Sequence, residues 1–106
     1  MEKLKLKKGL QPGTYEAVVQ SIQPYESKFG ASFKAVYVTD DYQEISELWN
    51  ASYTPKTKLG QRVKAILGDL PDELDFSDLL GQSVEVTLVQ GRNKDFCDVD
   101  DVVGTH

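Results

Sequence analysis

The residue types that most often carry catalysis are scarce in this chain of 106 residues. It contains one histidine, His106, which is the last residue, and one cysteine, Cys97. Nucleophilic and general acid–base catalysis require a nucleophile, a base and an orienting group held together. Cys97 has no histidine near it in the sequence and is interpreted as a small side chain in a strand. The sequence therefore predicts a protein that is not an enzyme.

Carboxylates are the remaining candidates for chemistry, and Asp95, Asp98, Asp100 and Asp101 lie close together near the end of the chain. Their oxygens suit hard cations, but they lack the regular ligand spacing and the glycine of a calcium loop. An alternation of Asp98 and Asp100 is more typical of the water-facing side of a strand. Glycine motifs that bind phosphates or dinucleotides are absent. We therefore expect no metal site and no cofactor.

Another kind of chemistry, ligand binding by aromatic rings and cations, has better candidates. The predicted loop 24–30 contributes two rings and a cation, and the predicted hairpin loop 91–95 contributes two cations. The predicted strands 31–39 and 44–50 contribute three more rings, for which packing in the core is the alternative role. The eight candidate binding residues are Tyr25, Lys28, Phe29, Phe33, Tyr37, Trp49, Arg92 and Lys94.

Composition and charge limit the class of protein. With 40% hydrophobic and 27% charged residues, the chain is typical of a globular domain, and it has no apolar run of the roughly 18 residues that a membrane span requires. The basic start lacks the apolar stretch of a secretory signal, so we expect a cytoplasmic location and no membrane contact. The net charge of −5 opposes bulk attraction to nucleic acid, but residues 56–64 carry four cations and no acid. The distribution of charge is therefore compatible with a locally basic surface.

The first half of the chain shows the two-residue alternation of β-strands. After a basic tail over 1–9, a single domain is predicted over 10–106. A first strand runs over 14–22, with a shift of phase that suits a β-bulge, and is limited by Pro24. Strands follow over 31–39 and 44–50, although a helix is an alternative for the last of these.

The second half predicts one helix and two more strands. Thr54-Pro55 has the form of a helix start, and Gly68 has the form of its end. Asp75 could cap a short helical turn over 76–80. Alternation then predicts a strand over 83–89 and a last strand over 96–103. The order of elements is β-β-β-α-β-β, with the helix between the third and fourth strands.

That order is shared by the OB fold, a five-stranded, partly open Greek-key barrel. The segment Leu10-Gln11-Pro12-Gly13-Thr14-Tyr15-Glu16-Ala17 resembles the opening of small single-stranded DNA-binding-like proteins of phages and plasmids. Residues 46–50 and 79–86 resemble their third strand and the entry to their fourth strand. The resemblance covers most of residues 10–103. It implies an all-β fold with one helix, built as an OB-type Greek-key barrel with the helix between strands three and four.

The resemblance also implies a function, that of a single-stranded DNA-binding accessory protein in replication or recombination of a phage or mobile element. Such proteins stack bases on aromatic rings beside a basic groove, and each stack contributes about 1–3 kcal/mol. Replication or recombination proteins are the expected partners, and an edge strand could pair two copies of the chain. The alternative, which the acidic composition favours, is a non-enzymatic module that binds a protein or a glycan through an OB-like barrel.

Use of the strand aromatics for stacking depends on which face of each strand is buried. If Val36 and Val38 point into the barrel, the rings of the same strand face outward. If Leu48 points inward, Trp49 faces outward on the third strand. These two assignments place the aromatic candidates on one flank, next to the loops between strands one and two and between strands four and five.

Overall fold

Five antiparallel strands form one sheet in the order β3-β2-β1-β4-β5, accompanied by one α-helix and a short 3-10 helix. This arrangement is taken from a computed structural model, which describes residues 10–28, 30–91 and 97–105. It confirms the predicted order of elements, and the segment 44–50 is a strand rather than a helix. The bounds are β1 (Gly13–Ser27), β2 (Gly30–Thr39), β3 (Glu44–Asn50), α1 (Lys58–Leu67), the 3-10 helix (Phe76–Asp78), β4 (Ser83–Gln90) and β5 (Cys97–Gly104).

Strand β1 is longer than predicted because Pro24 does not end it. Pro24 lies opposite Phe33, and β1 continues to a tight turn that leads into β2. The pairing of β1 with β4 ends at Val18, so residues 21–27 of β1 pair with β2 alone among the described residues. A proline is tolerated at such an open edge because its missing N–H removes no ladder hydrogen bond to a further strand.

The predicted change of phase in β1 is confirmed as an irregularity in register between Val19 and Ser21. Before it, the side chains of Ala17 and Val19 point to the core, and after it the inward position passes to Ile22. One extra residue in a strand bends it and reverses which side chains face the interior. The bend allows β1 to pair with β4 at one end and with β2 along the rest.

The hydrophobic core lies between the inner face of the sheet and α1. The helix contributes Leu59, Val63 and Ile66, which recur at the spacing of one helical face. On the sheet, Trp49 and Tyr37 are the largest fully buried side chains. Full burial of an apolar side chain stabilises the fold by about 1.5–3 kcal/mol, so these contacts hold α1 against the sheet.

Helix α1 begins one turn later than the prediction from Thr54-Pro55. Its N-cap is Thr57, whose hydroxyl accepts a hydrogen bond from the Gly60 N–H at 3.2 Å. The Thr54 hydroxyl instead accepts from the backbone N–H groups of the turn before the helix. The predicted end is confirmed: Gly68 has φ 78° and donates its N–H to the Lys64 carbonyl at 2.8 Å.

The connection from α1 to β4 covers one end of the core. Within this connection, Asp75 caps the 3-10 helix as predicted and accepts a hydrogen bond from the Ser77 N–H at 2.9 Å. The helix spans three residues rather than the predicted five. The ring of Phe76 meets the ring of Phe33 edge to face, with centroids 4.7 Å apart. This contact ties the connection to the inner face of β2.

The two edge strands of the sheet are bridged by the helix. Among the described residues no pairing joins β3 to β5, and α1 packs against both of them. The sheet is therefore open between its two edge strands, β3 and β5. No helix in the described part of the chain combines the length and apolar character needed to cross a membrane.

Candidate functional site

The aromatic side chains of β2 and β3 point to the core, so the predicted assignment of faces is wrong. Tyr37 and Trp49 are each 0% exposed, and Phe33 is half-buried against Phe76. On β3, Leu48 is the side chain that faces outward, with 43% of its surface exposed. These positions make the three strand aromatics part of the interior rather than surfaces on which a base could stack.

The physical reason is that rings bury more apolar area than valines. The Tyr37 hydroxyl donates a hydrogen bond to the Glu47 carboxylate at 2.6 Å. Trp49 is four residues from Ile45 on β3, so the two side chains point to the same face, and Ile45 is also buried. Its indole N–H is buried without a hydrogen-bond partner among the described residues. Val36 and Val38 are half-buried on the opposite side of β2.

We call the opposite side of β1, β2 and β3 the outer face; most of its side chains are exposed or half-buried, and Ser32 is buried. Residues opposite one another on neighbouring antiparallel strands share a face, so the strand register defines its rows. The outer face has four rows across β1, β2 and β3: Tyr25, Ser32 and Asn50; Gln23, Lys34 and Leu48; Ser21, Val36 and Ser46; Val18, Val38 and Glu44.

The outer face carries little charge. Of its residues, all of which lie in the described part of the chain, only Lys34 in a middle row and Glu44 in an end row are charged. The same side of the sheet becomes acidic further along, where Glu16 lies opposite Glu85 and Asp98 is exposed on β5. Depletion of charge is typical of the centre of a protein–protein interface. The outer face is therefore the candidate site.

Of the eight predicted binding residues, two lie beside or on the outer face. Tyr25 is on it with 45% of its surface exposed, and Lys28 is exposed in the turn that follows β1. Phe29, Arg92 and Lys94 lie outside the described residues. The sequence interpretation missed Lys34, because the reversed faces of β2 placed it inside. The two-residue alternation of β2 could not reveal this, because both faces of the strand carry apolar residues.

A buried charged cluster lies behind the outer face, on the inner side of β3. Arg62 of α1 and Glu47 of β3 are 5% and 9% exposed, and the Arg62 Nε lies 3.0 Å from the Glu47 Oε2. The Glu47 carboxylate also accepts the hydrogen bond from the Tyr37 hydroxyl. Burial, and then the charge of Glu47, raises the pKa of Tyr37 far above its ordinary value. Tyr37 therefore remains a protonated donor at neutral pH.

The cluster also links the two edge strands. The Arg62 Nη1 lies 3.7 Å from the Asp101 Oδ1 on β5, while its Nε and Nη2 donate to Glu47 on β3. A guanidinium has several donors in one plane, so it can hold two carboxylates at once. Arg62 thereby fixes the position of β3, which carries Leu48 and Ser46 on the outer face.

Burial of Trp49 leads to a prediction for its fluorescence. Native protein is expected to emit at short wavelength, to resist quenching by acrylamide, and to keep its intensity when oligonucleotide is added, because the ring cannot reach a base. Protein unfolded in urea serves as the control and should be quenched readily. Strong quenching of folded protein by acrylamide would contradict the interior position of Trp49.

The described residues contain no group of three histidine, cysteine, aspartate or glutamate side chains placed to hold a metal ion. Asp98 and Asp100 are exposed on β5, as expected for the water-facing side of a strand. In comparisons with known proteins, no family model matches the sequence, and no curated protein matches it.

Proposed function

We propose that this protein binds single-stranded DNA on the outer face of an OB-type Greek-key barrel, as an accessory protein of replication or recombination in a phage or mobile element. The strand order supports the architecture, because β4-β1-β2-β3 is the spatial order of a Greek key. Helix α1 lies between β3 and β4 in the chain and spans the gap between β3 and β5, as suits a partly open barrel.

The observation that carries the proposal is the presence of an exposed ring and a cation on strands of a weakly charged face. OB folds bind oligonucleotides on strands two and three, and these strands form most of the outer face. Tyr25 offers a ring for stacking, and Lys34 in the adjacent row offers a charge for a phosphate. Gln23 and Asn50 are exposed beside them and can form hydrogen bonds with base edges.

The arrangement supports binding that depends more on stacking than on charge. Each phosphate neutralised on a single strand changes the slope of log K against log salt by about −0.7. Lys34 is the single cation of the outer face, all of which is described, so the face alone gives a shallow salt dependence. This agrees with a protein of net charge −5, which is poorly suited to coating DNA by attraction alone.

Tyr25→Ala is expected to weaken binding of a labelled oligo-dT by about 1–3 kcal/mol, roughly 5- to 150-fold, because one base loses its stacking partner. Fluorescence anisotropy of the labelled strand at two salt concentrations measures the loss. Tyr42→Ala is the matched control, since Tyr42 is 88% exposed in the turn between β2 and β3, at the far end of β2. Equal losses in both variants would contradict a site at Tyr25.

A second candidate function is a protein-interaction module, and exposed aliphatic side chains favour it. Val18 and Leu48 on the outer face are 40% and 43% exposed. Apolar side chains on a face depleted of charge are also typical of protein interfaces. If wild-type protein bound no oligo-dT even at low salt, the DNA proposal would fail and this function would take its place.

A further inference from the structure

A lysine of helix α1 lies on the inner side of the edge strand β3, beside Glu47. The Lys58 Nζ is 3.9 Å from the Glu47 Oε1, and half of the Lys58 side chain is exposed. Glu47 precedes Leu48, which is an outer-face residue of the edge strand β3. Lys34 lies on the neighbouring strand, opposite Leu48. Lys58 therefore lies beside the edge strand that ends the row of Lys34, on the inner side of that strand.

The charge of Lys58 is not fully neutralised by Glu47. The Glu47 carboxylate is already held by hydrogen bonds from the Arg62 Nε and Nη2 and from the Tyr37 hydroxyl. At 3.9 Å, Lys58 is a distant neighbour of that buried group, and half of the Lys58 side chain is in contact with water. The ammonium therefore remains able to approach an anion supplied from outside.

Lys58 belongs to a segment of uniform charge. Residues 51–68 carry four cations and no acid, in a chain whose net charge is −5. Arg62 is buried, whereas Lys56, Lys58 and Lys64 are exposed. Lys56 lies just before the N-cap of α1, Lys58 is the first residue of the helix, and Lys64 lies in its last turn. Of these exposed lysines, Lys58 is the one with an ion-pair distance to β3 among the described residues.

We propose that a DNA strand bound on the outer face leaves it over the edge of β3, and that Lys58 and Lys56 bind its phosphates there. This inference rests on the proposed function and extends it by naming the direction of the strand. A path from Lys34 across Leu48 to Lys58 and Lys56 provides cations that the outer face itself lacks. It avoids the acidic side of the sheet around Glu16.

The path predicts an effect that depends on the length of the ligand. Lys58→Gln is expected to weaken binding of an oligo-dT of about 16 nucleotides, and to leave one of about 4 nucleotides unaffected, these being the limits of site size for OB folds. Loss of one phosphate contact changes the slope of log K against log salt by about 0.7, or about fivefold in affinity between 0.1 M and 1 M salt. Lys64→Gln is the matched control and should affect neither ligand.

The measurements are anisotropy titrations of the long strand at several salt concentrations and NMR titrations of the short strand. Thermal unfolding of each variant verifies that the fold is intact. An equal effect of Lys64→Gln, no effect of Lys58→Gln, or an equal effect on both lengths would overturn the path. If Tyr25→Ala weakens binding and Lys58→Gln does not, the path alone fails. If the wild-type protein binds neither strand, the proposed function fails with it.

Discussion

Arg62→Met is expected to destabilise the protein by about 3–5 kcal/mol, because it leaves the buried Glu47 carboxylate without its cation. Glu47 is 9% exposed, and among the described residues its nearest other cation, Lys58, is 3.9 Å away. The variant also removes the contact of Arg62 with Asp101 on β5. Urea unfolding followed by circular dichroism measures the change in free energy of unfolding.

The matched control for this prediction is the double variant Arg62→Met with Glu47→Gln. Glutamine removes the buried charge and keeps an acceptor for the Tyr37 hydroxyl, so the double variant should recover much of the lost stability. A loss below about 1 kcal/mol in the single variant is the value expected for an exposed ion pair. That result would contradict the role assigned to Arg62 in holding α1 between the two edge strands.

Gly60→Ala is expected to destabilise the protein by about 3 kcal/mol or more, at or above the upper end of the usual cost of overpacking. A Cβ at Gly60 would collide with the Thr54 carbonyl oxygen. That oxygen accepts hydrogen bonds from the N–H and the hydroxyl of Thr57, the N-cap of α1. Moving the carbonyl therefore disturbs the start of the helix. Thermal or urea unfolding measures the effect.

Gly68→Ala provides the comparison within the same helix. No atom lies within 4 Å of a Cβ at Gly68, and its cost comes from the left-handed backbone, about 1–2 kcal/mol. Gly60→Ala should therefore be the more damaging of the two. In an open helical position, alanine in place of glycine stabilises by about 1 kcal/mol. A gain of that kind at Gly60 would contradict the close approach of Thr54 to the helix.

The order of the elements could be predicted from the sequence because strands and helices impose different periods on their apolar residues. β3 was placed with its observed bounds, and the bulge in β1 was anticipated from a change of phase. The start of α1 was misplaced because Thr54 and Thr57 both have the side chain of an N-cap. Only their contacts show that the Thr57 hydroxyl accepts the bond from Gly60.

The faces of β2 could not be predicted because both sides of the strand carry apolar residues. Val36 and Val38 alternate with Ala35 and Tyr37, so the two-residue period gives two equally apolar faces. The choice depends on a long-range pairing, the hydrogen bond from the Tyr37 hydroxyl to Glu47, which local pattern does not reveal. Tyr25 and Lys28 were therefore identified from the sequence, in the segment predicted as a loop, whereas Lys34 was identified only from the structure.

Pro24 has a consequence for how copies of the chain behave at high concentration. An open strand edge is a template on which a second molecule can add its own strand, and repeated addition leads to fibres. Along residues 21–27 that template is interrupted near its middle, because proline has no hydrogen to contribute to an incoming backbone. The part of the β1–β2 pair formed by residues 21–27 is thus less able to template the addition of a further strand.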